Sequence, residues 1–274
     1  MTDTALRPTA VRGPGNLPSA ADVKLLLRQV RYEQISYWRN PGAAFFTFAF
    51  PLVFFFILTG IAGGQSDRGD LGSGVHLAQY YTPSILAYAI MSASFLSMTM
   101  SIVNKREAGI LKRYRGTPLP TWALLGGFIG SALIVSLLLS AVVIAAAIAF
   151  FGVHLAASQL LPIAGIVILA TLAFCALGLA VSSLIPNLDS GPAIINLPFF
   201  VLVFISGTYF PVTGTLQKVA GYFPLRPLMD GMMHSFIPQM PGIKDYGHDA
   251  WVLLVWGLVA VFFAVRRFRW VPRR

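Results

Sequence analysis

Six stretches of about 20 apolar residues, separated by short polar or charged segments, constrain this chain more than any other feature of its sequence. A helix rises about 1.5 Å per residue, so 20 residues can cross the roughly 30 Å hydrocarbon core of a bilayer. Only 11% of the 274 residues are charged, whereas soluble domains carry about 25%. The sequence therefore predicts an all-α, polytopic membrane protein. The six expected transmembrane helices cover residues 43–62, 80–103, 123–151, 160–185, 191–210 and 250–265 within a transmembrane domain of residues 43–267.

The distribution of the basic residues predicts the orientation of these helices. With six spans, both termini and the loops after the second and fourth spans lie on one side, and this side holds 16 of the 20 Lys and Arg residues. The positive-inside rule places that side in the cytoplasm. Although the net charge is +10, the cations form no groove with interleaved aromatic residues, so we expect no nucleic-acid partner.

The segments outside the spans have distinct expected roles. Residues 1–18 are rich in Pro and Gly and are expected to be a disordered tail, and residues 268–274 a basic cytoplasmic tail. Residues 19–40 predict an amphipathic helix with a basic flank, which suits the headgroup layer of the membrane; packing on another protein is the alternative. Gln34 interrupts its apolar side. We expect the first span, rather than a cleavable leader, to direct the chain to the membrane.

The sequence offers no chemistry for catalysis. It contains no Gly-x-x-x-x-Gly-Lys-Ser/Thr motif for nucleotide phosphates, and its four His residues are scattered among expected extracellular segments. The single cysteine, Cys175, is expected to be a packing residue. The spans also lack an ionisable residue deep inside an apolar run, which an ion-coupled secondary transporter or channel would need. We therefore expect no catalytic residue, no metal site and no bound cofactor, and an external source of energy for any transport.

The loop of residues 104–120, between the second and third spans, combines five cations with a single acid, Glu107, and ends in a Gly-Thr-Pro break. A basic anchor alone would explain the cations but not the acid. Two further patterns stand out: Arg39-Asn40-Pro41 before the first span, and Pro198-Phe199-Phe200 followed by Ser206-Gly207-Thr208-Tyr209-Phe210-Pro211 at the end of the fifth.

In these motifs and their order, the chain resembles the type-2 permeases of ABC transporters, the membrane subunits of many bacterial exporters. The family's loop typically carries a basic residue and Glu, then Gly-Thr-Leu, then Thr-Pro, and this chain departs from it at Ile110, where threonine is common. The resemblance implies that the loop docks on a separate ATPase subunit, which would bind ATP and Mg²⁺. The residues expected to couple the two subunits are Arg106, Glu107, Gly109, Leu111, Thr117 and Pro118.

The resemblance also implies an assembly and a location. Two permease copies and two ATPase subunits would form an exporter in the bacterial cytoplasmic membrane. Residues 212–240 would form a re-entrant helix pair over the extracellular end, with an interfacial loop as the alternative. The expected extracellular gate consists of Gly207, Phe210 and Pro211.

We expect the substrate to move between the two permease copies along the first, second and fifth spans, past aromatic residues of the first and fifth. Such a route suits a small amphipathic or hydrophobic compound, such as a drug or a lipid-like molecule, better than a charged polymer. A polysaccharide exporter remains an alternative, as does a membrane scaffold without transport activity. The residues expected to face the pathway are Phe46, Phe50, Phe54, Asn196, Phe199 and Phe200.

Overall fold

The computed structural model describes residues 20–61, 77–117, 119–208, 215–237 and 246–267. These ranges are helical and contain no strand. The expected tails of residues 1–18 and 268–274 lie outside them. The helices are α1 (Ala20–Trp38), α2 (Pro41–Ile61), α3 (Leu77–Met91), α4 (Ser97–Glu107), α5 (Ile110–Arg115), α6 (Thr121–Phe151), α7 (Ala157–Ser182), α8 (Gly191–Ser206), α9 (Thr215–Ala220), α10 (Leu225–Phe236) and α11 (Tyr246–Arg267).

Five helical segments in the described ranges are long and apolar enough to cross a membrane. Helix α8 is apolar too, but its 16 residues rise only about 24 Å, which is less than a typical hydrocarbon core. The structure therefore has an all-helical membrane fold with five spanning candidates and one shorter apolar helix. The five candidates are Pro41–Ile61, Ala78–Glu107, Thr121–Phe151, Ala157–Ser182 and Gly247–Arg267.

The second of these candidates forms the centre of the bundle. It consists of α3 and α4 joined by a π-helical turn at Ser92–Leu96. Nearly every side chain of α3 is buried, because α2, α6, α7 and α10 all pack around it. Since α3 is enclosed by protein, its small polar residues are satisfied within the helix, as in the hydrogen bond from Thr82 Oγ1 to the Ala78 carbonyl.

Helix α1 packs tightly along the first turns of α6 because three glycines, Gly126, Gly127 and Gly130, lie where the two helices meet. A Cβ atom added at Gly126, Gly127 or Gly130 would lie only 2.3–2.6 Å from a side-chain atom of α1. Small residues allow helix backbones in membranes to approach in this way. Gln34, the polar interruption in the sequence pattern, donates from Nε2 to the Ser131 carbonyl at 2.9 Å. This residue therefore joins α1 to α6.

Helix α10 lies inside the bundle, although the sequence around it is broken by prolines. All of its side chains except that of His234 are buried, and it packs against α3, α7, α8 and α11. Arg226 and Asp230 form an ion pair within it, with Arg226 Nε 2.9 Å from the carboxylate. The two charges are one turn apart and neutralise each other where water cannot solvate them.

Candidate functional site

A cavity of about 740 Å³ lies between α1, α2, α4, α6 and α8. It is lined by five of the six residues that the sequence predicted for the substrate pathway: Phe46, Phe50, Asn196, Phe199 and Phe200. The sixth, Phe54, is outside the lining, and its ring centroid lies 4.7 Å from that of Phe50. The aromatic residues of α2 and α8 therefore share one cavity.

One wall of this cavity is a chain of aromatic contacts. The ring of Tyr88 lies 5.6 Å from that of Phe199 and 6.1 Å from that of Phe50, at separations typical of favourable ring pairs. Phe199 is only 2% exposed, whereas Phe46 and Phe200 are more than half exposed. Phe199 therefore supports the wall, and Phe46 and Phe200 present apolar surface that a ligand could contact.

Polar side chains of α4 also line the cavity. Ser97, Ser101 and Asn104 line the cavity, and their spacing of four and three residues places them on one face of the helix. Hydroxyl and amide groups on this face can both donate and accept hydrogen bonds. The cavity therefore offers apolar surface and hydrogen-bonding groups to the same ligand.

Glu33 and Lys105 form an ion pair at the edge of the cavity. Glu33 belongs to α1 and is 6% exposed, and its carboxylate also accepts a hydrogen bond from Gln29 Nε2 at 3.4 Å. Lys105 at the end of α4 lies 4.3 Å from the centroid of the Phe128 ring on α6, which adds a cation–π contact. The pair joins three helices and contributes no net charge to the cavity.

This ion pair was not predicted from the sequence, in which Lys105 is one of the five cations of the loop. One feature of the sequence could have indicated the pair: Glu33 is the only glutamate of α1, a helix that also carries Lys24, Arg28 and Arg31. Its position on the face opposite the basic residues could have indicated a partner inside the protein.

The segment after α4 turns sharply and begins the short helix α5. Gly109 adopts φ 68°, a left-handed conformation that favours glycine, and it is the residue before α5. Leu111 is completely buried and packs in a cluster with Met98, Ile102 and other apolar residues. Leu111 therefore attaches α5 to the bundle, while Lys112 and Arg113 on the same helix are exposed.

Arg106 lies inside the protein and not on the surface of this loop. It is 2% exposed, and its Nη1 and Nη2 atoms donate to the carbonyls of Ser182 and Ile185 at 3.0 and 2.7 Å. Ser182 is the last residue of α7, whose terminal carbonyls lack partners in the helix, and Ile185 lies just beyond it, so the guanidinium satisfies one carbonyl at the helix end and one in the following turn. Arg106 therefore fixes the end of α7 against α4.

Glu107 is the more accessible member of the Arg106–Glu107 pair. Its Oε1 lies 3.1 Å from Arg106 Nε, and its side chain is 25% exposed.

Farther along the chain, Thr117 is exposed and its hydroxyl donates to the Tyr114 carbonyl at 2.7 Å. Pro118 lies outside the described residues. Of the six expected coupling residues, Glu107 and Thr117 thus reach the surface, whereas Arg106 and Leu111 hold the segment in place.

The end of α8 is anchored to α10. Gly207 follows α8 with φ 84°, again left-handed, and so terminates the helix. Arg226 Nη1 donates to the Ser206 carbonyl at 2.9 Å while its Nε contacts Asp230. Phe210 and Pro211, the other expected gate residues, lie outside the described residues. The sequence reasoning assigned no role to Arg226, and its helical spacing from Asp230 was the available signal.

Comparison with known proteins is consistent with this architecture. A family model described as an ABC-2 type transporter matches residues 25–237, from within α1 to the end of α10. None of the curated proteins compared with the chain matches it. The family model covers well over half of the sequence, which confirms the resemblance seen in the motifs. This chain therefore belongs to the ABC-2 type transporter family and is a multi-pass membrane permease subunit.

Proposed function

We propose that this protein is the translocation subunit of an ATP-driven exporter that moves amphipathic or hydrophobic compounds out of a bacterial cell. The observation that carries the proposal is the cavity of about 740 Å³. It combines the aromatic residues of α2 and α8 with the hydrogen-bonding face of α4, and the Glu33–Lys105 pair leaves it without net charge. An amphiphile can place its apolar part against the rings and its polar part against α4.

ATP hydrolysis would be supplied by a separate ATPase subunit that docks at α5. The exposed side chains of Lys112 and Arg113, together with Glu107, provide charged contacts for such a partner. Because Leu111 is buried and Arg106 binds the end of α7, a movement of α5 would reach α4 and α7 directly. In this proposal Arg106 and Leu111 act as positioning residues.

The proposed topology has six spans with both termini in the cytoplasm. Helix α8 would be the fifth span, and the 16 of 20 Lys and Arg residues on the cytoplasmic side support the orientation. Helix α10 would close the extracellular end of the pathway, with Gly207, Phe210 and Pro211 as the bend of the gate. The buried Arg226–Asp230 pair supports this role because it ties α10 to the end of α8.

A second permease copy would complete the pathway. The cavity is bounded by α2 and α8, and both carry large exposed apolar side chains beside it, including Phe46 at 67% and Leu197 at 70% exposed. Exposed apolar surface of this kind suits either lipid or a protein partner. Two facing copies would enclose the two cavities in one route of twelve spans.

Transport in liposomes tests the proposal. The chain is reconstituted with its ATPase, and ATP-dependent movement of a fluorescent amphiphile is compared with that of a long glycan. We expect the amphiphile to move and the glycan to stay. Movement of the glycan alone would overturn the substrate class, and movement that needs no ATP would instead favour a secondary transporter.

Glu107→Ala tests the coupling segment in the same liposomes. We expect ATP-driven transport to fall several-fold, while binding of the fluorescent amphiphile is unchanged. Asp189→Ala is the matched control, because Asp189 is an exposed acid in the turn between α7 and α8 and has no role in the proposed docking. Unchanged transport by Glu107→Ala, or an equal loss in both variants, would refute a specific role for Glu107.

A further inference from the structure

The two faces of α1 differ sharply in what surrounds them. The inner face is held against the bundle through Gln29, Glu33 and Gln34, which contact residues of α4 and α6 or each other. The outer face is exposed to the surroundings of the protein. These contacts occupy the inner face, so the composition of the outer face decides what α1 can bind.

Three cations stand together on this outer face. Lys24, Arg28 and Arg31 are exposed and are spaced by four and three residues, so they are neighbours along the helix surface. Among the residues that the structure describes, none of the three takes part in an ion pair; Arg28 lies 5.8 Å from the centroid of the Tyr32 ring. Like charges at this spacing destabilise a helix, and a bound anion would reduce their repulsion.

Large apolar side chains occupy the same face as the cations. Val23, Leu27, Ile35 and Trp38 are between 43% and 61% exposed. At 100° per residue, they fall within the same arc of the helix as the three cations. A face that mixes apolar and cationic side chains suits neither bulk water nor the hydrocarbon core. It suits the boundary between the two, where both kinds of group find partners.

The packing of α1 fixes its depth at this boundary. Its inner face contacts Gly126, Gly127 and Gly130, which lie within the first turns of the spanning helix α6. Its carboxyl end leads through Asn40 directly into α2, another spanning candidate. Because α1 is attached at the same end of two spanning helices, its outer face lies at the level of the lipid headgroups.

From this arrangement we propose that the outer face of α1 is a binding site for anionic phospholipid headgroups of the adjacent leaflet. Lys24, Arg28 and Arg31 bind the phosphate and the other anionic oxygens, and the neighbouring apolar side chains contact the upper acyl chains. This inference goes beyond the proposed export function and does not depend on it, since the site needs neither substrate nor ATPase.

Lipid selectivity of the chain alone, without its ATPase, tests the site. The protein is placed in phosphatidylcholine nanodiscs that contain trace spin-labelled phosphatidylglycerol or phosphatidylcholine, and the immobilised fraction is measured by electron paramagnetic resonance. We expect a preference for phosphatidylglycerol. Each cation removed in Lys24→Gln, Arg28→Gln and Arg31→Gln should lower that preference roughly fivefold at the site, and salt should weaken it further.

Two control variants show whether a loss of lipid preference is specific to the outer face of α1 or follows from a change in total charge or folding. Lys112→Gln with Arg113→Gln removes two exposed cations from α5 and should retain the preference. The charge-preserving set Lys24→Arg, Arg28→Lys and Arg31→Lys should retain it as well. If the triple glutamine variant loses its helical circular dichroism, Arg31→Gln alone gives the same comparison with one charge removed.

Three results would overturn the inference. The first is a wild-type protein without preference for phosphatidylglycerol. The second is a folded glutamine variant with the wild-type preference. The third is an equal loss of preference in the control variant Lys112→Gln with Arg113→Gln, which would make the effect one of overall charge and not of the outer face of α1.

Discussion

Replacing Gly127 by alanine should separate α1 from α6. The new Cβ atom would lie 2.3 Å from Cγ of Gln29, 3.1 Å from its Cβ and 3.3 Å from its backbone carbonyl carbon. A different rotamer of Gln29 removes the first clash but neither of the others. The backbone of α1 must therefore shift outward by several tenths of an ångström, and the contacts of Glu33 and Gln34 must follow it.

The loss of unfolding free energy caused by the clash can be separated from the gain caused by the higher helix propensity of alanine. Overpacking of a close contact costs about 1–3 kcal/mol, whereas exchanging glycine for alanine inside a helix gains up to about 1 kcal/mol. Gly165 on α7 supplies the matched control, because a Cβ added there meets nothing within 4 Å. The helix preference is common to both exchanges, so Gly127→Ala should be less stable than Gly165→Ala by about 2 kcal/mol.

The assay is reversible unfolding in mixed micelles, followed by circular dichroism as the denaturing detergent is increased. A second measurement, the distance between spin labels on α1 and α6, should lengthen in Gly127→Ala and stay constant in Gly165→Ala. Equal unfolding free energies for the two alanine variants would refute the packing argument, since they would mean that α1 is not held against α6 at this glycine.

Three further predictions concern buried groups. Arg106→Gln should destabilise the protein by about 2 kcal/mol or more in the same unfolding assay, because it leaves carbonyls at the end of α7 without a donor; Arg106→Lys should recover only part of this loss. Asp230→Asn should cost about 3–5 kcal/mol, since Arg226 would remain as a buried unpaired charge, and a double exchange of both residues for apolar ones should be far less destabilising. Phe199→Ala should lower the unfolding free energy by about 3–5 kcal/mol, because it truncates a buried side chain. Phe200 is half-exposed, so Phe200→Ala should lower it by less than about 1 kcal/mol and should mainly reduce transport of an amphiphile.

The apolar runs predicted the helical membrane fold because lipid requires long, internally hydrogen-bonded segments. The third expected span, residues 123–151, corresponds to α6, which begins at Thr121 and ends at Phe151. The fifth expected span reaches residue 210, whereas α8 ends at Ser206 because Gly207 turns left-handed. A hydropathy pattern records the apolar composition of such a segment but not the backbone angle at one glycine.

In the candidate site, only features that follow from the residue composition of single spans could be predicted from the sequence. Aromatic residues on two expected spans led us to expect a substrate pathway, which stays a prediction, and the structure brings Phe46 and Phe200 to one cavity. The pairing of Glu33 with Lys105 could not be read from the sequence, since the two residues are 72 positions apart and meet only because α1 packs against α6, within reach of the end of α4. The burial of Arg106 was hidden for the same reason: an arginine in a basic loop looks solvated until the end of α7 is placed beside it.

The π-helical turn at Ser92–Leu96 sets the rotational phase of everything that follows it on the central helix. Such a turn holds one residue more than a regular α-helical turn, and one residue corresponds to a rotation of about 100°. Without that offset, Lys105 would point about a quarter turn away from Glu33. The single additional residue therefore sets which side of the second half faces α1, so that Lys105 meets Glu33 while Met98 and Ile102 stay buried in the bundle.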